Sequence, residues 1–282
     1  MKAKKEIVAF TIIITALVIA IGFTMVSVLG NKTKEIKVAK ELVGKLQKMD
    51  IIDTEFNIDE IEFKSVAKVV NKNSKTQYTV VVENIGIDLD SKYVVTGFSH
   101  KSKDGKSYKS IIEESEAIKI AEKYVDEITN EKFTFKEVRA PKEGEENNNI
   151  YTIAFYKYYK DYPYYDNEIV VNINKLSGKL ENYTNPNIDM NEHNSSKEIN
   201  SKEAKNIAIE HFNKLNVEVE VIEEPLLAFV FGTNEEFELC YVINLETLNS
   251  ENESDKYKLF INSESGLIIN RTNDLIDSSR SN

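Results

Sequence analysis

The phrase Ile-Asn-Lys-Leu-Ser-Gly-Lys-Leu-Glu-Asn-Tyr-Thr-Asn at 173–185 returns 88 positions later, at 261–273, as Ile-Asn-Ser-Glu-Ser-Gly-Leu-Ile-Ile-Asn-Arg-Thr-Asn. Both copies read I-N-x-x-S-G-x-[LI]-x-N-x-T-N. Polar and glycine positions repeated at constant spacing mean that one folding unit has been duplicated. A duplicated small unit points to binding or scaffolding before catalysis, because each copy is a structural module first.

The likeness extends upstream. Glu116-Ala117 and Ile120-Ala121 align with Glu203-Ala204 and Ile207-Ala208, offset by 87. Ala117, Ala121, Tyr124, Val125 and Ile128 fall on one face of an α-helix. Ser115 and Ser201 stand where a hydroxyl caps the first free N–H groups. Strand-like runs follow each helix. In one copy they are 133–138, 151–159, 168–174 and 179–183; in the other they are 217–222, 226–231, 237–245, 257–262 and 267–271. The Asn-x-x-Ser-Gly step joins two strands. Asn174 and Asn262 are placed to close Asx-turns on their own backbone, and Gly178 and Gly266 to take a left-handed conformation. These four residues read as structural turns.

A worn third copy precedes them. Residues 36–49 have helical spacing, and 58–70, 77–83 and 92–99 read as strands. Asp104-Gly105-Lys106 stands where Ser177-Gly178-Lys179 stands in the next copy. The expected organisation is a tail at 1–6, a transmembrane helix at 7–29, and units at 31–110, 111–185 and 201–276. A polar linker at 186–200 separates the last two units. The fold class is α+β: a transmembrane helix followed by tandem small units, each a helix packed on an antiparallel sheet.

The anchor rests on Ile7 to Leu29, 23 consecutive uncharged positions, long enough to cross a hydrocarbon core of ~30 Å. The apolar region of a secretory signal is shorter, about 7–15 residues. Val28-Leu29-Gly30 nevertheless offers a small-residue cleavage site, so cleavage stays open. Lys2, Lys4 and Lys5 precede the run while Lys32, Lys34, Lys37 and Lys40 follow it, so flanking charge does not set orientation. A net charge of −11 disfavours nucleic acid, which needs a basic face. Cys240, the single cysteine, has no partner for an intramolecular disulfide and reads as a buried apolar residue.

Catalytic signatures are missing from the sequence. Its three histidines, His100, His193 and His211, are far apart, and H-E-x-x-H, G-x-S-x-G and phosphate-loop patterns do not occur. Asp88-Leu89-Asp90 and the acidic run at 143–146 offer oxygens but lack the spacing of a calcium loop. No metal, cofactor or enzyme activity is therefore expected. An enzyme acting on wall polymer through two carboxylates stays as a rival reading, and it needs two acids in one cleft.

The segment 151–166 holds seven tyrosines, at 151, 156, 158, 159, 162, 164 and 165. Alternation along a strand sends about half of such rings to a core face and leaves the rest outside. Tyrosine gives large contact area at low entropy cost. Tyr156, Tyr158, Tyr159, Tyr162, Tyr164 and Tyr165 form the candidate binding surface.

The E-A-x-x-I-A helix, the aromatic strand, the Tyr162-Pro163-Tyr164-Tyr165-Asp166 tip and the Ile173–Leu180 ending together resemble the PepSY domain. They also resemble its relative, the propeptide domain of thermolysin-type metalloproteases. Asn174 and Ser177 stand where the family ending carries Asp and Thr, and the later copy keeps the ending without the tip. The resemblance implies a helix on a small antiparallel sheet, in bacterial proteins outside the cytoplasm that bind or restrain peptidases. One relative is a membrane-anchored spore germination protein that holds a cortex-lytic enzyme. The expectation is a non-enzymatic, single-pass protein of the cell membrane, with its soluble part outside the cytoplasm. It is expected to bind, and to inhibit or stabilise, an envelope peptidase or hydrolase. The alternative is an extracytoplasmic sensor or a structural component of a cell-surface or sporulation assembly.

Overall fold

Among the described residues three amphipathic helices punctuate thirteen strands: α1 (Lys34–Lys48), α2 (Glu114–Ile128) and α3 (Ser201–Asn213). The computed structural model describes residues 33–52, 57–58, 63–67, 76–100, 111–140, 149–186, 193–232, 236–247 and 255–269. The expected anchor at 7–29, the Asp104-Gly105-Lys106 triplet and the acidic run at 143–146 lie outside them. Among the described residues no helix is long and apolar enough to cross a membrane.

Each helix opens a set of antiparallel strands. After α1 come β1 (Lys64–Ala67), β2 (Tyr78–Val82), β3 (Ile85–Leu89) and β4 (Val95–His100). After α2 come β5 (Phe133–Arg139), β6 (Ile150–Tyr159), β7 (Tyr162–Asn174) and β8 (Leu180–Thr184). After α3 come β9 (Val219–Val221), β10 (Leu226–Phe231), β11 (Phe237–Thr247), β12 (Lys256–Asn262) and β13 (Ile268–Ile269). Val, Ile, Tyr and Phe dominate these runs because branched and aromatic side chains suit a pleated, half-buried surface.

The chain divides into two units. The first holds residues up to 130 with 137–154 and 169–187; the second holds 131–136, 155–168 and everything from 188. In the first, β1, β2, β3, β4, β8 and β7 lie side by side, with β4 antiparallel to β8. Alternation turns Val80, Val82, Ile85, Ile87, Leu89, Phe98 and Tyr183 inward. Ile36, Ala39, Leu42, Val43 and Leu46 of α1 and Ala117, Ala121, Tyr124 and Val125 of α2 are also buried. Burying one such aliphatic side chain contributes about 1.5–3 kcal/mol. In the second unit α3 lays Ala204, Ala208 and Phe212 on Tyr241, Ile243, Leu245 and Ile261. Cys240 is buried on a separate cluster with Ala228, Val230, Val242 and Phe260.

The duplicated phrase forms the same turn twice. Asn174 Oδ1 accepts from the N–H groups of Leu176 and Ser177 at 2.9 and 3.0 Å, and Asn262 Oδ1 from Glu264 and Ser265 at 3.0 and 2.9 Å. Gly178 has φ 68° and Gly266 has φ 70°. A methyl group on Gly178 would lie 3.3 Å from Ile120 Cδ1, and one on Gly266 would lie 3.3 Å from Ile207 Cδ1. Tyr151 hydroxyl donates to Ile112 O at 3.1 Å, and Tyr241 hydroxyl donates to Ile199 O at 3.1 Å.

A different turn closed by a carboxylate joins β3 and β4. Asp90 Oδ1 accepts from Lys92 N and Val94 N, both at 2.8 Å, with Tyr93 at φ 66°. The sequence reading left β3 out of its strands, because Gly86 and Asp88 interrupt its apolar residues. Helix starts differ as well. The N-cap of α3 is Asn200, which accepts from Glu203 N at 3.1 Å while the Glu203 carboxylate accepts from Asn200 N at 2.8 Å. Ser201 is already helical and donates to Glu224 at 2.6 Å. Glu113 starts α2 without a side-chain bond, and Ser115 lies inside that helix. The Asn–Glu pair satisfies two helix-end donors at once, where a serine satisfies one.

Candidate functional site

The hairpin of β6 and β7 carries the tyrosine-rich segment. A two-residue turn, Lys160-Asp161, joins its strands, with Lys160 left-handed at φ 54°. A primed turn of this kind matches the twist of the strands it joins. The tip, 155–168, belongs to the second unit. Side-chain alternation gives it two chemically different faces.

The inner face is largely aromatic. Phe155 is fully buried and meets Phe133 edge-on at 5.5 Å between centroids. Lys157 is 1% exposed, and its Nζ sits 3.0 Å from Glu131 Oε2. Tyr159, Tyr162 and Tyr164 surround Phe229 of β10 at 5.6, 6.2 and 5.7 Å. Tyr164 pairs with Phe229 in the parallel β7–β10 register and packs on Phe237 at 4.9 Å.

His193, from the expected linker, fits among these rings. Its centroid is 4.9 Å from Tyr159, 5.1 Å from Phe237 and 5.3 Å from Phe229. A hydrogen bond of 2.9 Å joins its Nε2 to the Tyr164 hydroxyl. Burial pushes the Tyr164 phenol up to about 12, helped by Tyr159 and the Glu131 carboxylate. Burial holds the His193 imidazole below its ordinary value, and the Lys160 ammonium lowers it further. Both groups are therefore neutral at ordinary pH. They act as packing and hydrogen-bonding groups, since removing charge from an apolar site avoids its desolvation cost.

The outer face alternates lysine with tyrosine. Lys132 Nζ lies 4.7 Å over the Tyr158 ring, whose hydroxyl is 3.1 Å from Thr134 Oγ1. Lys136 stands between Tyr156 and Tyr165, 5.0 Å from each ring, and pairs with Glu168. Lys258 of β12 lies 5.4 Å over the other contact of the series, Tyr165, which meets Phe260 edge-on at 5.3 Å.

The six candidate tyrosines thus separate. Tyr156, Tyr158 and Tyr165 are half-buried on the outer face, and Tyr159 and Tyr162 are half-buried in the inner cluster. Tyr164 is 0% exposed and offers no surface, a correction caused by its packing on Phe229 and Phe237. Asn174, Gly178, Asn262 and Gly266 serve the turns. The sequence reading missed His193, the Lys157–Glu131 pair and the lysine–tyrosine alternation. Lys132 and Lys136 stand four apart among Phe133 and Phe135, but the rings they cover come from other strands. Asp88 accepts from Thr79 Oγ1 at 2.6 Å and Asp90 closes its turn, so both carboxylates serve the fold.

Comparison with known proteins agrees with this architecture. Residues 198–272 match the PepSY family model, described as the peptidase propeptide and YPEB domain. Residues 79–187, a span that takes in β3, β4 and the middle copy, match the YcdB, YcdC repeated domain. Among solved structures the chain is similar to the Bacillus megaterium YpeB C-terminal domain. That match has 17% identity and a TM-score of 0.53, and covers 82% of this chain and 95% of the other. At such identity the likeness is one of fold. No curated protein matches the chain.

Proposed function

We propose that this PepSY-containing protein is a non-enzymatic, membrane-anchored protein acting outside the cytoplasm, where it binds and restrains or stabilises a peptidase or hydrolase of the cell envelope. The observation that carries the reading is the tyrosine-rich outer face of the β6–β7 hairpin, which brings rings and ammonium groups together on one surface. Large amphipathic rings at a half-buried surface are the composition of protein interfaces. The PepSY match adds a domain type associated with peptidase propeptides. The uncharged run at 7–29 supports the anchor.

The test is cross-linking of the full chain in the membrane fraction, followed by identification of the attached proteins. A peptidase or wall hydrolase attached in proportion to the bait supports the reading. Cross-linking that yields only the chain itself contradicts it.

A further inference from the structure

We propose that the lysine–tyrosine series of the second unit is where the partner docks, and that it takes a protein segment carrying carboxylates among apolar side chains. The inference rests on the binding role proposed above, and it names the surface and its chemistry. The series runs Lys132, Tyr158, Tyr156, Lys136, Tyr165, Lys258, drawing on β5, β6, β7 and β12 with Lys132 just ahead of β5.

Three features of the series select this ligand class. The chain as a whole carries −11, whereas along this face three lysines stand against Glu168 and Asp161, which leaves one net positive charge among these groups. Each ammonium is held against a ring, an attraction worth about 0.5–1 kcal/mol at exposed sites, so less side-chain freedom is lost when a carboxylate arrives. The lysines are also unequal. Lys136 and Glu168 have side chains only 15% and 11% exposed and neutralise each other inside the fold. Lys132 has a side chain 59% exposed and lies 4.0 Å from Asp161, itself 91% exposed, a pairing that solvent renders weak. Lys258 is exposed on β12.

The working charges are therefore the two outer lysines, with three half-buried phenol rings between them. A polyanion needs a denser run of cations to release its counterions. Two ammonium groups flanking aromatic area instead fit a peptide whose acidic side chains bracket apolar ones.

The test pans a library of random 12-residue peptides against the full chain, with subtraction on the K132E/K258E variant. Both substituted side chains point to solvent, and a melting curve verifies that the variant is folded. A K132Q/K258Q variant removes the charge without reversing it. Enriched peptides should carry Asp or Glu near aromatic or aliphatic residues. Their affinity should fall at least about tenfold in either variant and weaken with added salt. Neutral or basic winners, no enrichment, or equal affinity for the variants would overturn the proposal. Displacement of the peptide by inorganic polyphosphate at equal charge would overturn it too. Retention of the cross-linked envelope partner by K132E/K258E sinks this docking surface and leaves the general function standing. Absence of any partner for the unaltered chain sinks the function itself.

Discussion

The second and third copies share a turn and differ in the hairpin that leads to it. Asn174 and Asn262, Gly178 and Gly266, and Ile120 and Ile207 occupy matching places with matching distances. The strand entering the turn runs Tyr162–Asn174 in the second copy and is described over Lys256–Asn262 in the third. In the second copy it opens with the Tyr162–Asp166 tip and its rings. What both copies keep is what the fold requires: a closed turn beneath a helix. What one copy adds in sequence, the tyrosines of its tip, has no aromatic counterpart at 248–254 of the other, and the binding role proposed above rests on it.

The largest effect should come from the residue around which the added tip packs. Phe229→Ala empties the space among Tyr159, Tyr162, Tyr164 and His193, and a loss of about 3–5 kcal/mol is expected. The chain has no tryptophan, so tyrosine emission during urea unfolding reads this directly. Next come Gly178→Ala and Gly266→Ala. Each forces a side chain into left-handed backbone and toward an isoleucine methyl 3.3 Å away, so each should cost about 1–2 kcal/mol or more. The comparison predicts near-equal losses; a silent Gly266→Ala would break the equivalence of the turns.

A smaller contrast concerns the helix starts. Asn200→Ala removes a capping box and should cost about 1 kcal/mol, whereas Glu113→Ala, at a cap without a side-chain bond, should stay within about 0.5 kcal/mol. The smallest effect is that of His193. Its folded pKa is lowered, so below pH 6.5 the unfolded chain binds the proton first. Stability should therefore fall as pH drops from 6.5 toward the folded value, then level off. His193→Phe should flatten that segment of the pH profile relative to the unaltered chain.

Sequence periodicity exposed the helices and most strands because those signals are local. The Asn-x-x-Ser-Gly turns were legible for the same reason: their hydrogen bonds lie within a few residues of the motif. Asp90 was not read as a turn residue because Asp90-Ser91-Lys92-Tyr93 lacks the Asn-x-x-Ser-Gly spacing and its left-handed position falls on Tyr93. The partners of His193 and Lys258 were out of reach for a different reason. Their rings lie 29 or more residues away along the chain, on strands brought near only by folding. Alternation says that about half of the tyrosines face the core but not which ones, so Tyr164, packed on Phe229, stood among the surface candidates.

The central claim is that the second copy grips a partner with tyrosines that the sequence of the third copy lacks. Tyr151 and Tyr241 make the same hydrogen bond, so Tyr156 and Glu246 are corresponding positions on β6 and β11. A photo-cross-linking amino acid at each, in the full chain in membranes, tests the claim most directly. The account predicts a protein adduct from position 156 and none from 246. Adducts of equal yield from both, or from 246 alone, would contradict it.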